Sequence, residues 1–185
     1  MKKRLIQDLR KALEEGQVVP QQARVQKARV YDVNKDTIGK LYWEERGARH
    51  EWEMNGKLRE GGISVPEMHS LVPPDWFKGV WRPGGIPDWA ILMEKISGAY
   101  PHRLEAYEWE VAREQYRHSL EKVLDMGIFP GDQHEHNLLF DRKAQRLYFL
   151  DVESWRFQLK GWEEETIRQG LKKGPFPLKP RFYPG

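Results

Sequence analysis

The chain has 185 residues, with 31 lysines and arginines against 28 aspartates and glutamates, which gives a formal net charge of +3. This charge is too small to predict a nucleic-acid-binding protein by itself. The absence of cysteine excludes a disulfide scaffold, a thiolate zinc site and a cysteine nucleophile. Because 12% of the residues are aromatic, including 8 tryptophans, we expect a folded and highly charged globular protein.

The sequence predicts no membrane-spanning segment and no signal peptide. Its longest apolar runs are a few residues, whereas a spanning helix needs about 20. Charges interrupt the opening segment MKKRLIQDLRKALEEG, so that it lacks the apolar stretch of a secretory signal. We therefore expect a cytoplasmic protein.

The first half of the chain alternates between helical and extended patterns. Apolar spacing predicts a helix over 2–15 that stops at Gly16. Two strands, ARVYDV and TIGKLYW, follow as a hairpin around the turn NKD. A second helix is predicted over 47–60.

Proline and apolar runs determine the pattern in the middle of the chain. The segment ISVPEMHSLV suits a strand entered past a proline, and four of the 12 prolines fall in 72–88, which predicts a loop with an exposed tip. The run WAILMEKI has the length of a buried strand, and the spacing of apolar residues predicts a helix over 103–125. Two strand-like runs, LLF and RLYFLDV, then flank a turn, and a polar helix is predicted after Trp155.

The segment FPGDQHEHNLLFDRKAQRLYFLDVESW, residues 129–155, carries the most chemical information. Asp132 and Asn137 form a D-x-x-x-x-N pattern, and Asp151 ends the apolar hairpin that follows. This order resembles the catalytic core of protein-kinase-like phosphotransferases. The resemblance implies that Asp132 acts on the attacking hydroxyl, while Asn137 and Asp151 hold the Mg²⁺ that neutralises the ATP phosphates.

Upstream segments extend the resemblance. WAILMEKISG is similar to the strand and hinge between kinase lobes, which implies that Met93 backs the adenine pocket and that the backbone of Glu94–Ile96 meets the adenine edge. ARHEWEMNGKLREGGISVPE resembles the helix that carries an ion-pairing glutamate. Glu51 lies on the apolar stripe of that helix, so it is preferred to Glu53. Its implied partner is Lys40, the lysine of TIGKLYW, although counting along the strand places the expected position nearer Trp43.

The resemblance implies an α+β, bilobal protein-kinase-like fold in one domain over 1–185. A small N-lobe of sheet plus helix, with the N-terminal helix, would cover 1–93, and a minimal helical C-lobe would cover 94–185. Among known groups the pattern is most similar to small atypical kinases: the RIO type, aminoglycoside and lipopolysaccharide kinases, and the kinase/ATPase associated with KEOPS. Residues 152–185 contain no A-P-E segment, as expected of a minimal member.

The implied function is ATP- and Mg²⁺-dependent transfer of a γ-phosphoryl group to a hydroxyl, with a protein serine or threonine as the expected acceptor. The end of the chain is basic through Lys172, Lys173, Lys179 and Arg181, and would form a docking strip for an acidic protein or an RNA.

Two other functions remain open at the level of sequence. A pseudokinase adaptor is favoured by the absence of a glycine-rich loop, since the nearest candidate is RVQKARV, and by Pro130 at the position of the catalytic-loop histidine. A cupin-like metal enzyme would use Asp132, His134 and His136 as ligands. Asp132, Asn137 and Asp151 also have plain structural interpretations as turn-forming or strand-ending residues.

Overall fold

The computed structural model describes residues 2–15, 28–77 and 89–172. The helices of these ranges are α1 (Lys2–Glu14), α2 (Glu45–Glu60), α3 (Ala106–Asp125) and α4 (Gly161–Lys172). No helix in these ranges is both long enough and apolar enough to cross a bilayer. The glycine-loop candidate at 24–30, most of the predicted loop at 72–88 and the basic tail beyond Lys172 lie wholly or partly outside the described residues.

Four strands form an antiparallel sheet in the first half of the chain. They are β1 (Ala28–Asn34), β2 (Thr37–Tyr42), β3 (Met68–Val72) and β4 (Trp89–Glu94). The spatial order is β1-β2-β4-β3, so β2 is flanked on both sides by other strands. The predicted hairpin is present, with Ala28 opposite Tyr42 and Asn34 opposite Thr37.

The strands of the second half form two short antiparallel pairs. One pair joins β6 (Leu138–Asp141) to β7 (Arg146–Phe149), and the other joins β5 (Ile128–Phe129) to β8 (Arg156–Phe157). The first pair is the hairpin predicted from LLF and RLYFLDV. The second pair was not predicted, because two-residue strands carry no readable alternation of apolar and polar side chains.

The chain divides into two compact units. One contains Met1–Glu53 and Pro66–Lys95, and the other contains Met54–Val65 and Ile96–Gly185. The boundary therefore falls within α2, whose last turns and following segment belong to the second unit.

The core of the first unit lies between α1 and the sheet. Ile6 and Leu9 of α1 are completely buried together with Leu41 and Leu92 of the sheet. A β-carbon on Gly39 of β2 would fall 2.6 Å from Leu9 Cδ1, so a glycine at this position allows α1 to approach the strand closely. The N-terminal helix is thus an integral part of this unit.

The core of the second unit is organised around α3. Ala112, Tyr116, Leu120 and Val123 are buried on one face of this helix, which is the face predicted from their spacing. The α3 helix starts at Ala106, later than the predicted residue 103, because Pro101–Arg103 forms a separate 3-10 turn. Leucine and phenylalanine side chains of the β6–β7 hairpin pack in the same core, which holds the hairpin on the helix.

Candidate functional site

The loop between β5 and β6 carries two of the predicted site residues. A 3-10 turn over Glu135–Asn137 closes this loop. The side-chain Nδ2 of Asn137 donates a hydrogen bond to the carbonyl oxygen of Asp132 at 3.0 Å, and its backbone N–H donates to the carbonyl of His134 at 2.9 Å. Asn137 therefore fixes the loop backbone at two points that precede its turn, while the Asp132 side chain is 67% exposed.

The β6–β7 hairpin brings Asn137 and Asp151 to the same end. Leu138 is paired with Phe149, and the N–H of Leu150 donates to the carbonyl of Asn137 at 2.8 Å. Because Asn137 precedes the first paired residue and Asp151 follows Leu150, both residues lie at the open end of the hairpin. The antiparallel register thus brings Asn137 and Asp151 close in space although they are distant in sequence.

Asp151 has an unusual backbone conformation. Its φ of 51° and ψ of 62° place it in the left-handed region, which non-glycine residues avoid, although aspartate and asparagine tolerate it best. Strand β7 consequently ends at Phe149 and does not continue to Asp151 as predicted. A carboxylate oxygen of Asp151 lies within 4.8 Å of one from Glu153. Carboxylate oxygens are ligands that suit Mg²⁺, so the chemistry of Asp151 and Glu153 fits this ion.

Gly131 packs closely against Ser154, and so brings the Asp132 loop next to the segment that follows Asp151. A β-carbon at this position would fall 2.5 Å from the carbonyl carbon of Ser154, which is too close for any other residue without movement of the backbone. Ser154 ends the 3-10 turn that starts directly after Asp151. The pairing of Phe129 with Arg156 extends this contact along the chain. Close packing of Gly131 therefore holds the entry to the Asp132 loop against the segment that follows Asp151.

Arg156 and Glu163 anchor β8 to α4. They form an ion pair, and the Glu163 Oε2 accepts a hydrogen bond from the N–H of Lys160 at 3.0 Å. Burial raises the pKa of Glu163, but the combined effect of the Lys160 amide and the Arg156 guanidinium in lowering it is larger. The pKa of Glu163 therefore lies below its ordinary value. The Arg156 guanidinium also lies 4.2 Å from the ring centroid of Phe129.

A buried ion pair occupies the first unit. Lys40 Nζ of β2 lies 2.6 Å from Glu51 Oε2 of α2, and these residues are 6% and 2% exposed. Glu53, the competing glutamate, is exposed, and β2 ends before Trp43. The Tyr42 hydroxyl also donates to Glu51 Oε2. The pattern of the sequence pointed to the lysine and the glutamate but gave no role to Tyr42.

The predicted hinge residues follow the end of β4. Met93 is buried beside Ile91 in a small cluster with Tyr42 and Ala48. The N–H of Glu94 donates to the carbonyl of Glu67 at 2.8 Å, as an extension of the sheet. Ile96, which begins the longer segment of the second unit, is partly exposed.

The histidines near Asp132 do not form the metal site of the cupin alternative. His134 and His136 fall at the start of the 3-10 turn and within it, so the strand alternation that would align them is absent. Their ring centroids are 5.8 Å apart, and the described residues give them no common metal-ligand set with Asp132. Each has a carboxylate neighbour: His134 Nε2 lies 3.5 Å from Asp132 Oδ2, and His136 Nε2 lies 3.7 Å from Glu135 Oε1.

Comparison with known proteins supports the architecture. No family model and no curated protein matches the sequence. A solved structure of a kinase, PK-1 of the Cydia pomonella granulovirus, matches 80% of this chain with a TM-score of 0.51 at 18% sequence identity. The present chain covers 56% of that structure.

The fold is kinase-like. This confirms the predicted fold class, with its small sheet-plus-helix unit and a second unit built around α3. The cupin-like alternative is wrong, since the described strands form one four-stranded sheet and two short pairs rather than a barrel of many strands. Two predicted pairs are each brought together within a unit: Lys40 with Glu51 by an ion pair, and Asp132 with Asn137 by a hydrogen bond. Asp151 lies at the same end of the hairpin as Asn137. Glu153 was not predicted as a ligand, although the D-x-E spacing was visible in the sequence.

Proposed function

We propose that this protein is an ATP- and Mg²⁺-dependent phosphotransferase of the small atypical kinase type. The observation that carries the proposal is the Asp132–Asn137–Asp151 arrangement: a side-chain hydrogen bond joins Asn137 to the backbone carbonyl of Asp132, and the hairpin register brings Asn137 to the same end as Asp151. Phosphoryl transfer depends on positioning and on charge neutralisation rather than on covalent chemistry by the protein, and these residue types serve those purposes.

In this proposal Asp132 orients the acceptor hydroxyl. The hydroxyl oxygen forms a bond to the γ-phosphorus of ATP as the bond from that phosphorus to the β-bridging oxygen breaks. The hydroxyl proton passes to the Asp132 carboxylate, and ADP leaves with the electron pair of the broken bond. Exposure of the Asp132 side chain agrees with an acceptor that arrives from solvent.

Asn137 and Asp151 would hold Mg²⁺, and Glu153 would add a third oxygen donor. When bound, the ion neutralises phosphate charge. Asn137 uses its amide nitrogen for the bond to the Asp132 carbonyl, so its Oδ1 is the atom that serves the metal. Lys40 would contact the phosphates while Glu51 fixes its position, and Met93, Glu94 and Ile96 would border the adenine. A cytoplasmic location, where ATP is abundant, belongs to the same proposal.

We propose a macromolecular acceptor, with a protein serine or threonine as the first candidate. An exposed carboxylate on a loop is accessible to a hydroxyl on a large partner without further movement. The basic tail would assist docking of an acidic partner, including RNA. Removal of residues 171–185 should then weaken partner binding in a salt-dependent way and leave nucleotide affinity unchanged.

Nucleotide binding and turnover test the proposal together. The full chain should bind ATP more tightly with Mg²⁺ than with EDTA. Asp151→Asn should reduce this Mg²⁺-dependent gain in ATP affinity by at least about tenfold. Asp125→Asn is the matched control, because it removes an exposed carboxylate at the end of α3. Absence of Mg²⁺-dependent binding would contradict the function, whereas binding without any turnover would favour the pseudokinase adaptor.

A further inference from the structure

The buried Lys40–Glu51 pair has a third member. Glu51 Oε2 accepts hydrogen bonds from both Lys40 Nζ, at 2.6 Å, and the Tyr42 hydroxyl. Tyr42 is as deeply buried as the pair itself, at 2% exposed. One carboxylate oxygen thus receives a cationic and a neutral donor in the interior of the first unit.

The strand geometry explains why Tyr42 reaches this pair. Lys40 and Tyr42 are two residues apart on β2, so their side chains leave the same face of the sheet. The ammonium group of Lys40 lies 5.3 Å from the ring centroid of Tyr42, within the range of a cation–π interaction. Tyr42 therefore acts on Lys40 directly through its ring and indirectly through Glu51.

We infer that Tyr42 is a positioning residue for the phosphate-binding lysine, an inference that rests on the proposed function. A lysine that turns toward a phosphate weakens its bond to its carboxylate partner. A buried carboxylate that loses a donor is strongly destabilised, and this opposes the movement. The Tyr42 hydroxyl keeps Glu51 hydrogen-bonded during that exchange, and the ring limits the positions open to the ammonium group.

The test compares affinity for ATP with affinity for adenosine, which has no phosphates. Tyr42→Phe retains the ring and removes only the hydroxyl. We expect it to weaken Mg-ATP binding by about tenfold, the loss of one hydrogen bond to a charged group, and to leave adenosine binding unchanged. Tyr31→Phe is the matched control, because Tyr31 is a buried tyrosine of the neighbouring strand β1. An equal loss of both affinities in Tyr42→Phe would show a purely structural role and overturn the inference.

A double-mutant cycle tests whether Tyr42 acts through Lys40. In a Lys40→Met background, Tyr42→Phe should cause no further change in ATP affinity, whereas a full tenfold loss in that background would overturn the inference. If Lys40→Met does not fold, Glu51→Gln serves as the background, because it keeps an acceptor for the tyrosine but removes the charge.

Failure of this inference is distinguishable from failure of the proposed function. If the wild-type chain binds ATP no better than adenosine, the phosphotransferase proposal fails and the role of Tyr42 fails with it. If Lys40→Met, or Glu51→Gln in its place, loses ATP affinity while Tyr42→Phe binds ATP as tightly as the wild type, only the inference about Tyr42 is wrong.

Discussion

The side chain of Asn137 donates a hydrogen bond to the backbone carbonyl of Asp132 at 3.0 Å. This bond uses the nitrogen of the amide and leaves the oxygen for a different purpose. Asparagine is the residue that supplies a donor and an acceptor from one short side chain. In the proposed function, the same residue would therefore fix the Asp132 loop with its nitrogen and serve a metal ion with its oxygen.

Replacement of Asn137 by aspartate should separate these two purposes. Asn137→Asp retains an oxygen ligand but removes the donor and places a carboxylate beside the Asp132 carbonyl. We expect a loss of about 1–3 kcal/mol in the free energy of unfolding, measured with urea, because a hydrogen bond is replaced by repulsion. Turnover should fall more than Mg-ATP affinity. Unchanged stability would contradict the positioning role of this bond.

Asp132 should affect turnover and not nucleotide binding. In the proposed mechanism Asp132 orients the acceptor and receives its proton, so Asp132→Ala should lower kcat by about 10²–10⁴-fold. Mg-ATP affinity, measured by calorimetry, should remain within about twofold of wild type, since Asp132 has no metal-ligand role in the proposal. His118→Ala, an exposed change on α3, is the control. A parallel loss of nucleotide affinity in Asp132→Ala would contradict this division of roles.

The left-handed backbone of Asp151 predicts a conflict between stability and function. Asp151→Gly should raise the free energy of unfolding by up to about 1 kcal/mol, because glycine adopts a φ of 51° without steric cost. The same variant should lose Mg²⁺-dependent nucleotide binding. Gln158→Gly relieves a φ of 75° at an exposed position after β8 and should stabilise the protein without affecting the nucleotide. A destabilised Asp151→Gly would show that other contacts of the carboxylate outweigh the strain.

Gly131 should tolerate no side chain. Gly131→Ala would push a β-carbon into the Ser154 backbone and should lower the free energy of unfolding by about 1–3 kcal/mol. Gly56→Ala is the matched control: it lies within α2, a β-carbon there meets nothing within 4 Å, and alanine favours a helix by about 1 kcal/mol. Opposite signs for the two variants in urea unfolding are the expected result. Equal effects would show that Gly131 is not constrained by packing.

Glu108 should make the free energy of unfolding depend on pH in the acidic range. A hydrogen bond from the Glu105 amide lowers the pKa of Glu108, burial raises it, and the Arg142 guanidinium lowers it, with a net pKa below the ordinary value. A lowered pKa in the folded state stabilises the protein above the unfolded value of about 4.3, and this contribution is lost as pH falls through the folded pKa. The stability difference between wild type and Glu108→Gln should therefore be constant near neutral pH and shrink in acid.

The same measurements on a second glutamate variant show whether the pH dependence is specific to Glu108. Glu110→Gln removes one carboxylate from the exposed side of the same helix and controls for the change in net charge. Urea unfolding of the three proteins at a series of pH values between about 6 and 2 supplies the comparison. If the wild type exceeded Glu108→Gln in free energy of unfolding by an amount that grew as pH fell, the sign of the pKa shift would be contradicted.

Elements with a strong hydrophobic period were readable from the sequence. The β1–β2 hairpin, the β6–β7 hairpin and the buried face of α3 follow from alternation or from spacings of three and four residues. Glu51 was separable from Glu53 because only Glu51 shares the apolar stripe of α2. These features depend on neighbours in sequence, so a single chain contains the information.

Features that depend on tertiary contacts were not readable. The β5–β8 pair consists of two residues per strand, and tertiary contacts such as the approach of Gly131 to Ser154 fix its position. The predicted helix after Trp155 starts at Gly161, because the intervening residues first pair with β5. The hydrogen bond from Tyr42 to Glu51 depends on how α2 lies on β2, which no local pattern encodes.

The left-handed conformation of Asp151 bears on how related sequences should be interpreted. If Asp151→Gly is at least as stable as the wild type, neutral drift would remove a carboxylate that had only a structural purpose. Persistence of aspartate there across distant relatives would therefore measure selection on chemistry, separately from selection on folding. Persistence of Leu138 or Phe149, which fill the core, would carry no such information.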